Sequence, residues 1–512
     1  MRAFLMYNDR SFDLKTGLPP NQAELTQDLE LNTLFTAMAG DDKFLLDVVT
    51  RSVLSSLQDS ETILYRQAVL ADCMGQPKVI RALYQIAVDS IERQNKVWSW
   101  DSPDSILRRS VEVLGIFAES LKKLRQISER YGGEFRSDGF TRLFTMLAAE
   151  LDDGYMALVE EHLAQLKFRH GILMSAELGK GNKGTDYVLC KLVSTEETWA
   201  QRIQNWVHEL THRNTSSYYF EIADRDQAGA EALSELKAYG IAHIATALAQ
   251  ATDHILNFFT MLRTELAFYI GCLNLQEALA KKGEPICFPQ PSRSDDTMLC
   301  CRELYDACLA LTVNDRVVGN EINADGKRLI MITGANRGGK STFLRSIGLA
   351  HLMMQCGMFV PATYFGASVC SALFTHFKRE EDATMRSGKL DEELSRMSTI
   401  IDRVRPSSMV LLNEAFASTN EREGSEIARQ IVQALLDSDV KVLYVTHLFD
   451  LAHGLHVRHL DDALFLRAER LIDGQRTFRL IEGEPLATSY GGDLYRRIFT
   501  GAPDAAELPA PQ

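Results

Sequence analysis

The chain has 512 residues, 46% of them hydrophobic and 24% charged, which excludes a mainly disordered chain, a collagen or a small disulfide scaffold. Lys and Arg number 55 against 69 Asp and Glu, so the net charge of −14 supplies no global positive field for nucleic acid or an acidic membrane. Nine cysteines without a paired-spacing framework read as reduced thiols of a cytosolic protein.

The first ten residues hold no long apolar core of a signal peptide. The nearest approach to a membrane span, Phe258 to Leu275, carries Arg263 and Glu265. A cytoplasmic location with no membrane partner is therefore expected. Residues 1–170 read as a helical core. Asp59 and Ser60 suit a cap for a helix running toward Met74, and Pro77 suits the first position of the next. Leu114, Phe117, Leu121, Leu124 and Ile127 form an apolar stripe that Gly132-Gly133 stops.

The pattern changes near residue 170, where Ile172 to Leu178 and Tyr187 to Leu192 look like strands. Between them, Gly179-Lys180-Gly181-Asn182-Lys183-Gly184 offers glycines that let backbone approach a phosphate, and two lysines. Lys180 and Lys183 are thus candidate DNA contacts, and a solvated hairpin tip would look the same. Ser194 and Glu197 form a capping box for a helix through Leu210. That helix carries His208-Glu209-Leu210-Thr211-His212, the zinc-peptidase pattern, but its histidines lie off the stripe of Trp199, Ile203, Trp206 and Leu210. Residues 171–235 are assigned to one small β-containing segment. Next, Ile241 through Leu273 step by three or four, predicting a helix of roughly 40 residues and about 60 Å over 236–282. Pro285, Pro289 and Pro291 mark residues 283–297 as a linker.

From 298 to 512 short β-rich runs (Arg328 to Thr333, Ser408 to Leu412, Val440 to Thr446) alternate with helical patterns, predicting a parallel sheet with crossover helices. Gly334-Ala335-Asn336-Arg337-Gly338-Gly339-Lys340-Ser341 follows the first of these strands and precedes a helix opening at Thr342. It fits the phosphate-loop pattern G-x-x-x-x-G-K-[ST]. In that pattern backbone N–H groups wrap ATP phosphates at a helix N-terminus, Lys340 reaches them, and Ser341 ligates Mg²⁺. The second strand ends in Asn413-Glu414. Glu414 is placed to activate a water, and Asn413 offers an amide oxygen without charge where an acidic metal partner is usual. The third strand ends in Thr446-His447, and His447 would face the ligand crevice.

At these residues the chain resembles the MutS family of DNA mismatch repair ATPases. Residues 334–342 resemble its G-P-N-M-G-G-K-S-T, Phe359-Val360-Pro361-Ala362 its V-P-A segment, and Leu412-Asn413-Glu414 its D-E strand. Ser418-Thr419-Asn420 with Gly424 resembles the loop that follows, Thr446 to Leu451 its T-H-Y-F-E-L, and Ser489-Tyr490-Gly491 its S-Y-G. The likeness is close over about 320–495 and architectural before it. Three departures accompany it. No room precedes the helical core for the family's mismatch-reading domain with its Phe-x-Glu wedge, and in Phe117-Ala118-Glu119 the Phe lies on a core stripe. Leu390 takes the register of the family's trans-acting signature serine. Asn413 replaces the acidic metal partner. The short tail after Gly501 also leaves little of the family's C-terminal dimerising helices.

The resemblance implies a multidomain chain. A mainly α-helical N-terminal core and lever with a small clamp-like segment would precede an α/β P-loop ATPase domain of ABC-like type. It implies ATP and Mg²⁺ as cofactors, Glu414 and His447 in catalysis, Ser341, Asn413 and Glu414 at the metal, double-stranded DNA as partner, and a homodimer through the ATPase domains. Slow hydrolysis coupled to conformational change on irregular, mismatched or branched duplex DNA is the expected activity. The alternatives are a nucleotide-gated DNA or protein clamp with little turnover, and a zinc peptidase at His208 and His212.

Overall fold

The computed structural model describes residues 1–15, 17–98, 102–168, 172, 174–178, 184–190, 227–379, 388–471 and 475–486. Lys180, Lys183, the His208 to His212 motif, Ser194, Glu197 and the Ser489 to Gly491 segment lie outside them. Contacts divide the chain into two units, one of residues 85–132 and 144–262 with Met1, the other of 2–84, 133–143 and 263–512.

Helices lead the sequence: α1 (Gln22–Asp28), α2 (Leu31–Ala39), α3 (Lys43–Leu54), α4 (Ser60–Gly75), α5 (Pro77–Asn95), α6 (Pro103–Tyr131), α7 (Asp138–Glu150) and α8 (Asp153–Gln165). Their starts are set by local chemistry. The Asp59 side chain accepts from the N–H groups of Glu61 and Thr62, as the sequence suggested, and Pro77 opens α5. Ser102 caps α6 just ahead of Pro103.

In the first unit, Leu107 and Val111 of α6 pack on Ile241 and Ala245 of α9 (Gln227–Ala280). Phe117 is fully buried with its ring 5.3 Å from that of Phe259, which confirms it as core. Strands β1 (Met174–Leu178) and β2 (Gly184–Leu189) pair antiparallel in a two-stranded sheet. Helix α9 has 54 residues and a length of about 80 Å, longer than the roughly 40 residues the apolar stripe predicts. The surplus is N-terminal, where Ala, Glu, Leu and Lys favour helix without a continuous apolar face.

The second unit holds two more sheets. One is ordered β12-β11-β6-β10-β9-β8, built from β6 (Leu329–Thr333), β8 (Leu373–Phe377), β9 (Met409–Asn413), β10 (Lys441–Val445), β11 (Ala463–Arg470) and β12 (Arg476–Glu482). Neighbours in it are parallel except β11 and β12, which form an antiparallel hairpin. The other is ordered β3-β7-β4-β5, from β3 (Gln290–Ser292), β4 (Leu299–Leu304), β5 (Asn320–Asn323) and β7 (Tyr364–Ser368). The proline-bearing stretch 283–297 is therefore not a free connector throughout. Pro291 is tolerated because β3 is an edge strand that needs no N–H there for a second neighbour.

Between the end of β6 and β7 runs α11 (Lys340–Gln355), whose residues are buried nearly all round. The chain start is also tied into this unit: the buried Glu265 carboxylate accepts from Leu5 N at 2.6 Å and Phe12 N at 3.2 Å, and Arg66 donates to Met6 O. Helices α10 (Ala307–Thr312), α12 (Lys389–Ile401), α13 (Glu421–Asp437) and α14 (Phe449–His456) complete the unit. Among the described residues, no helix is long and apolar enough to cross a membrane.

Candidate nucleotide site

Strand β6 is buried along its whole length and is followed by Gly334, which takes φ 109°. Gly339 takes φ 87° and stands immediately before α11, with no side-chain cap on the helix N-terminus. The first amides of α11 are thus left to a ligand, with the helix dipole favouring an anion. The glycines are required by the β11–β12 hairpin against them. A Cβ at Gly334 would stand 2.9 Å from Ala468 N, and one at Gly338 2.6 Å from Ala468 Cβ. Arg337, at φ 58°, is exposed beside Asn336, whereas Ala335 is buried.

Lys340 folds back over the loop and donates to Gly334 O at 2.9 Å and Ala335 O at 2.8 Å. Burial pulls its ammonium down to about 8, against the opposing field of Glu414. One residue on, the Ser341 hydroxyl donates to Asn413 Oδ1 at 2.8 Å. Asn413 ends β9, and Glu414 follows with φ 53° and its N–H bonded to Val445 O. Just beyond β10, His447 Nε2 lies 3.2 Å from Glu414 Oε1. The imidazole beside it is the main reason the Glu414 carboxyl sits below its ordinary range, although partial burial pushes the other way. The loop, Ser341, Asn413, Glu414 and His447, separated by more than a hundred residues in sequence, are thus gathered at the C-terminal ends of β6, β9 and β10.

Beside the loop lies a cavity of about 480 Å³, within the range of small-ligand pockets. Tyr305, Val318, Arg337, Thr342, Phe343 and Phe478 are among its lining residues. Asn320 braces the far wall, donating to Phe478 O at 3.2 Å and accepting from Leu480 N at 2.7 Å. None of these apart from Arg337 and Thr342 was legible as a site residue. Val317-Val318-Gly319-Asn320 precedes the loop without a motif, and Phe478 comes from the hairpin more than a hundred residues later.

An uncapped helix N-terminus, glycines where a Cβ would collide, and an adjoining cavity with aromatic walls fit a nucleoside triphosphate. Ser341, Asn413 and Glu414 present only oxygen donors, which suits a hard divalent cation such as Mg²⁺. Among the described residues, no group of three or more His, Cys, Asp and Glu side chains is arranged to hold a metal.

The chain is similar to known proteins in both halves of its sequence. Residues 58–282 match the family described as the MutS2 N-terminal domain, and residues 330–496 match MutS domain V. A 176-residue stretch, 34% of the chain, is 28% identical to MutS protein homolog 4 of Mus musculus over 18% of that protein. A 188-residue stretch, 36% of the chain, is 29% identical to the DNA mismatch repair protein MutS of Methanosarcina acetivorans over 21% of its length. The MutS of Methanococcoides burtonii is 25% identical over 268 residues, 51% of the chain and 29% of that protein. The matched stretches thus span less than a third of these relatives.

Proposed function

We propose that this chain, which belongs to the MutS family, is an ATP-dependent DNA-binding protein. In this reading ATP hydrolysis is coupled to conformational change on irregular, mismatched or branched duplex DNA. The observation that carries it is the meeting of the phosphate-type loop, the Ser341–Asn413 pair and the Glu414–His447 pair at one end of three neighbouring parallel strands. Ligands of open α/β sheets bind at that end.

The residues from Gly334 to Thr342 hold the phosphates, and Lys340 exchanges its two loop carbonyls for phosphate oxygens. The cavity holds the base and sugar, with Phe478 and Phe343 offering apolar walls. Ser341, Asn413 and Glu414 hold Mg²⁺, which when bound neutralises phosphate charge. Glu414, held below its ordinary range by the His447 imidazole beside it, accepts a proton from the attacking water. His447 orients that carboxylate. Lys180 and Lys183 contact DNA phosphates from the clamp-like segment 171–235, the long helix acts as lever, and two ATPase domains pair in a homodimer.

The test is ATP binding and turnover by the parent and by Lys340→Ala, together with binding to matched, mismatched and branched duplexes with and without ATP. Unchanged nucleotide affinity and rate in Lys340→Ala removes the site. No response of DNA binding to ATP removes the coupling. Asn413 favours a second reading, a nucleotide-gated clamp with little turnover, because its amide brings no negative charge to the cation. ATP-dependent DNA binding without hydrolysis in Mg²⁺ would select it.

A further inference from the structure

Resting on the reading of Glu414 as the hydrolytic carboxylate, we propose that Glu393 is the positioning residue that holds Glu414 in place through the turn behind it. Glu414 and Phe416 take φ 53° and 62°, a backbone conformation that side-chain-bearing residues keep only when their surroundings hold them. Glu393, on α12, is 3% exposed. One of its carboxylate oxygens accepts from Phe416 N at 2.9 Å and the other from the Ser418 hydroxyl at 2.9 Å. Both oxygens are therefore spent on residues just beyond Glu414.

The same residue is anchored from behind. His376 Nε2 lies 3.0 Å from the Glu393 carbonyl oxygen, and the His376 ring stacks on that of Phe416 at 5.6 Å. From the other side, the buried Tyr444 hydroxyl donates to Ala415 O at 2.6 Å. The segment from Glu414 to Ser418 is thus fixed by α12 and by β10. Both Glu393 carboxylate oxygens are taken up by the turn, which makes it a positioning residue and not a group that touches the nucleotide. An apolar side chain in its place would leave the N–H of the fully buried Phe416 unpaired, and the turn would relax.

The experiment uses the full chain. Single-turnover hydrolysis and ATP affinity are measured for the parent and for Glu393→Ala, Glu393→Gln, Ser418→Ala and Glu414→Gln. Glu393→Ala lowers the hydrolysis rate about 10- to 100-fold, as misplacement of a reacting group does, while ATP affinity stays within about twofold. Glu393→Gln recovers the rate to within about threefold. Its carbonyl oxygen still accepts from Phe416 N–H, and its NH₂ donates to Ser418 Oγ. A parental rate in Glu393→Ala, an affinity loss as large as its rate loss, or Glu393→Gln as slow as Glu393→Ala overturns the proposal. If Glu393→Ala does not fold, Ser418→Ala decides: a slower rate at unchanged affinity supports the proposal, and a parental rate overturns it. If Glu414→Gln is inactive while Glu393→Ala is parental, only the positioning role falls. Parental hydrolysis in Glu414→Gln, or none in the parent, removes the catalytic reading and this proposal with it.

Discussion

The Ser341 hydroxyl donates to Asn413 Oδ1 at 2.8 Å, joining the first turn of α11 to the end of β9. The amide oxygen occupies the place from which a carboxylate would face the same hydroxyl. It keeps the hydrogen bond and gives up the charge. Asn413→Asp is expected to lower the Mg²⁺ concentration for half-maximal ATP hydrolysis by about threefold or more, since ligand charge sets divalent-cation affinity at such sites. A Mg²⁺ titration of turnover measures it, and an unmoved midpoint would show that Asn413 does not face the cation.

Glu414 and His447 separate two steps. Glu414→Gln is expected to bind ATP with parental affinity and to hydrolyse it about 100-fold more slowly or worse, the usual size of a lost general base. His447→Ala keeps the carboxylate but frees it, so its loss falls on turnover more than on binding. Single-turnover rates set beside dissociation constants give both answers. A His447→Ala variant weakened mainly in binding would place the imidazole on the nucleotide and not on Glu414.

Phe478 walls the cavity beside Phe343 and is 49% exposed, so its removal leaves the core intact. Stacking of a base on an aromatic ring contributes about 1–3 kcal/mol. Phe478→Ala should therefore weaken ATP about 5- to 150-fold and leave inorganic triphosphate binding unchanged. Equal losses for both ligands would mean that the base lies elsewhere.

Two buried histidines set an acid limit. His351 is fully buried, and burial pulls its imidazole down to about 4. His376 falls to about 4 for the same main reason. Unfolded histidine titrates near 6.5, so between about 6.5 and 4 the unfolded chain binds protons that the folded one refuses. Stability is fully present above that window and is lost as pH falls through it, by about 1.4 kcal/mol per pH unit for each histidine. Chemical denaturation from pH 7 to pH 4.5 reports the slope. His351→Leu should flatten it by one proton's worth, and a slope unchanged in that variant would refute the assignment.

What the sequence determined by itself was local. Four consecutive apolar residues and Thr333, followed by a glycine-rich run and Lys340-Ser341, specify a strand, a phosphate-type loop and a helix, because each signal lies within one element. Asp59 and Pro77 marked helix starts for the same reason, and the ends of β9 and β10 pointed to Asn413, Glu414 and His447. Tertiary structure decided what depends on distance through space. It brought Tyr305, Val318 and Phe478 to one cavity, turned Pro291 into an edge-strand residue, and placed Glu393 behind Phe416. It also explains Gly424, a match to the family loop with no visible reason in sequence: a Cβ there would stand 2.4 Å from Phe416 O. Periodicity and capping report on a residue's neighbours within a few positions, while a wall, a brace or a close backbone approach is set by chain segments whose pairing only the packed sheet fixes.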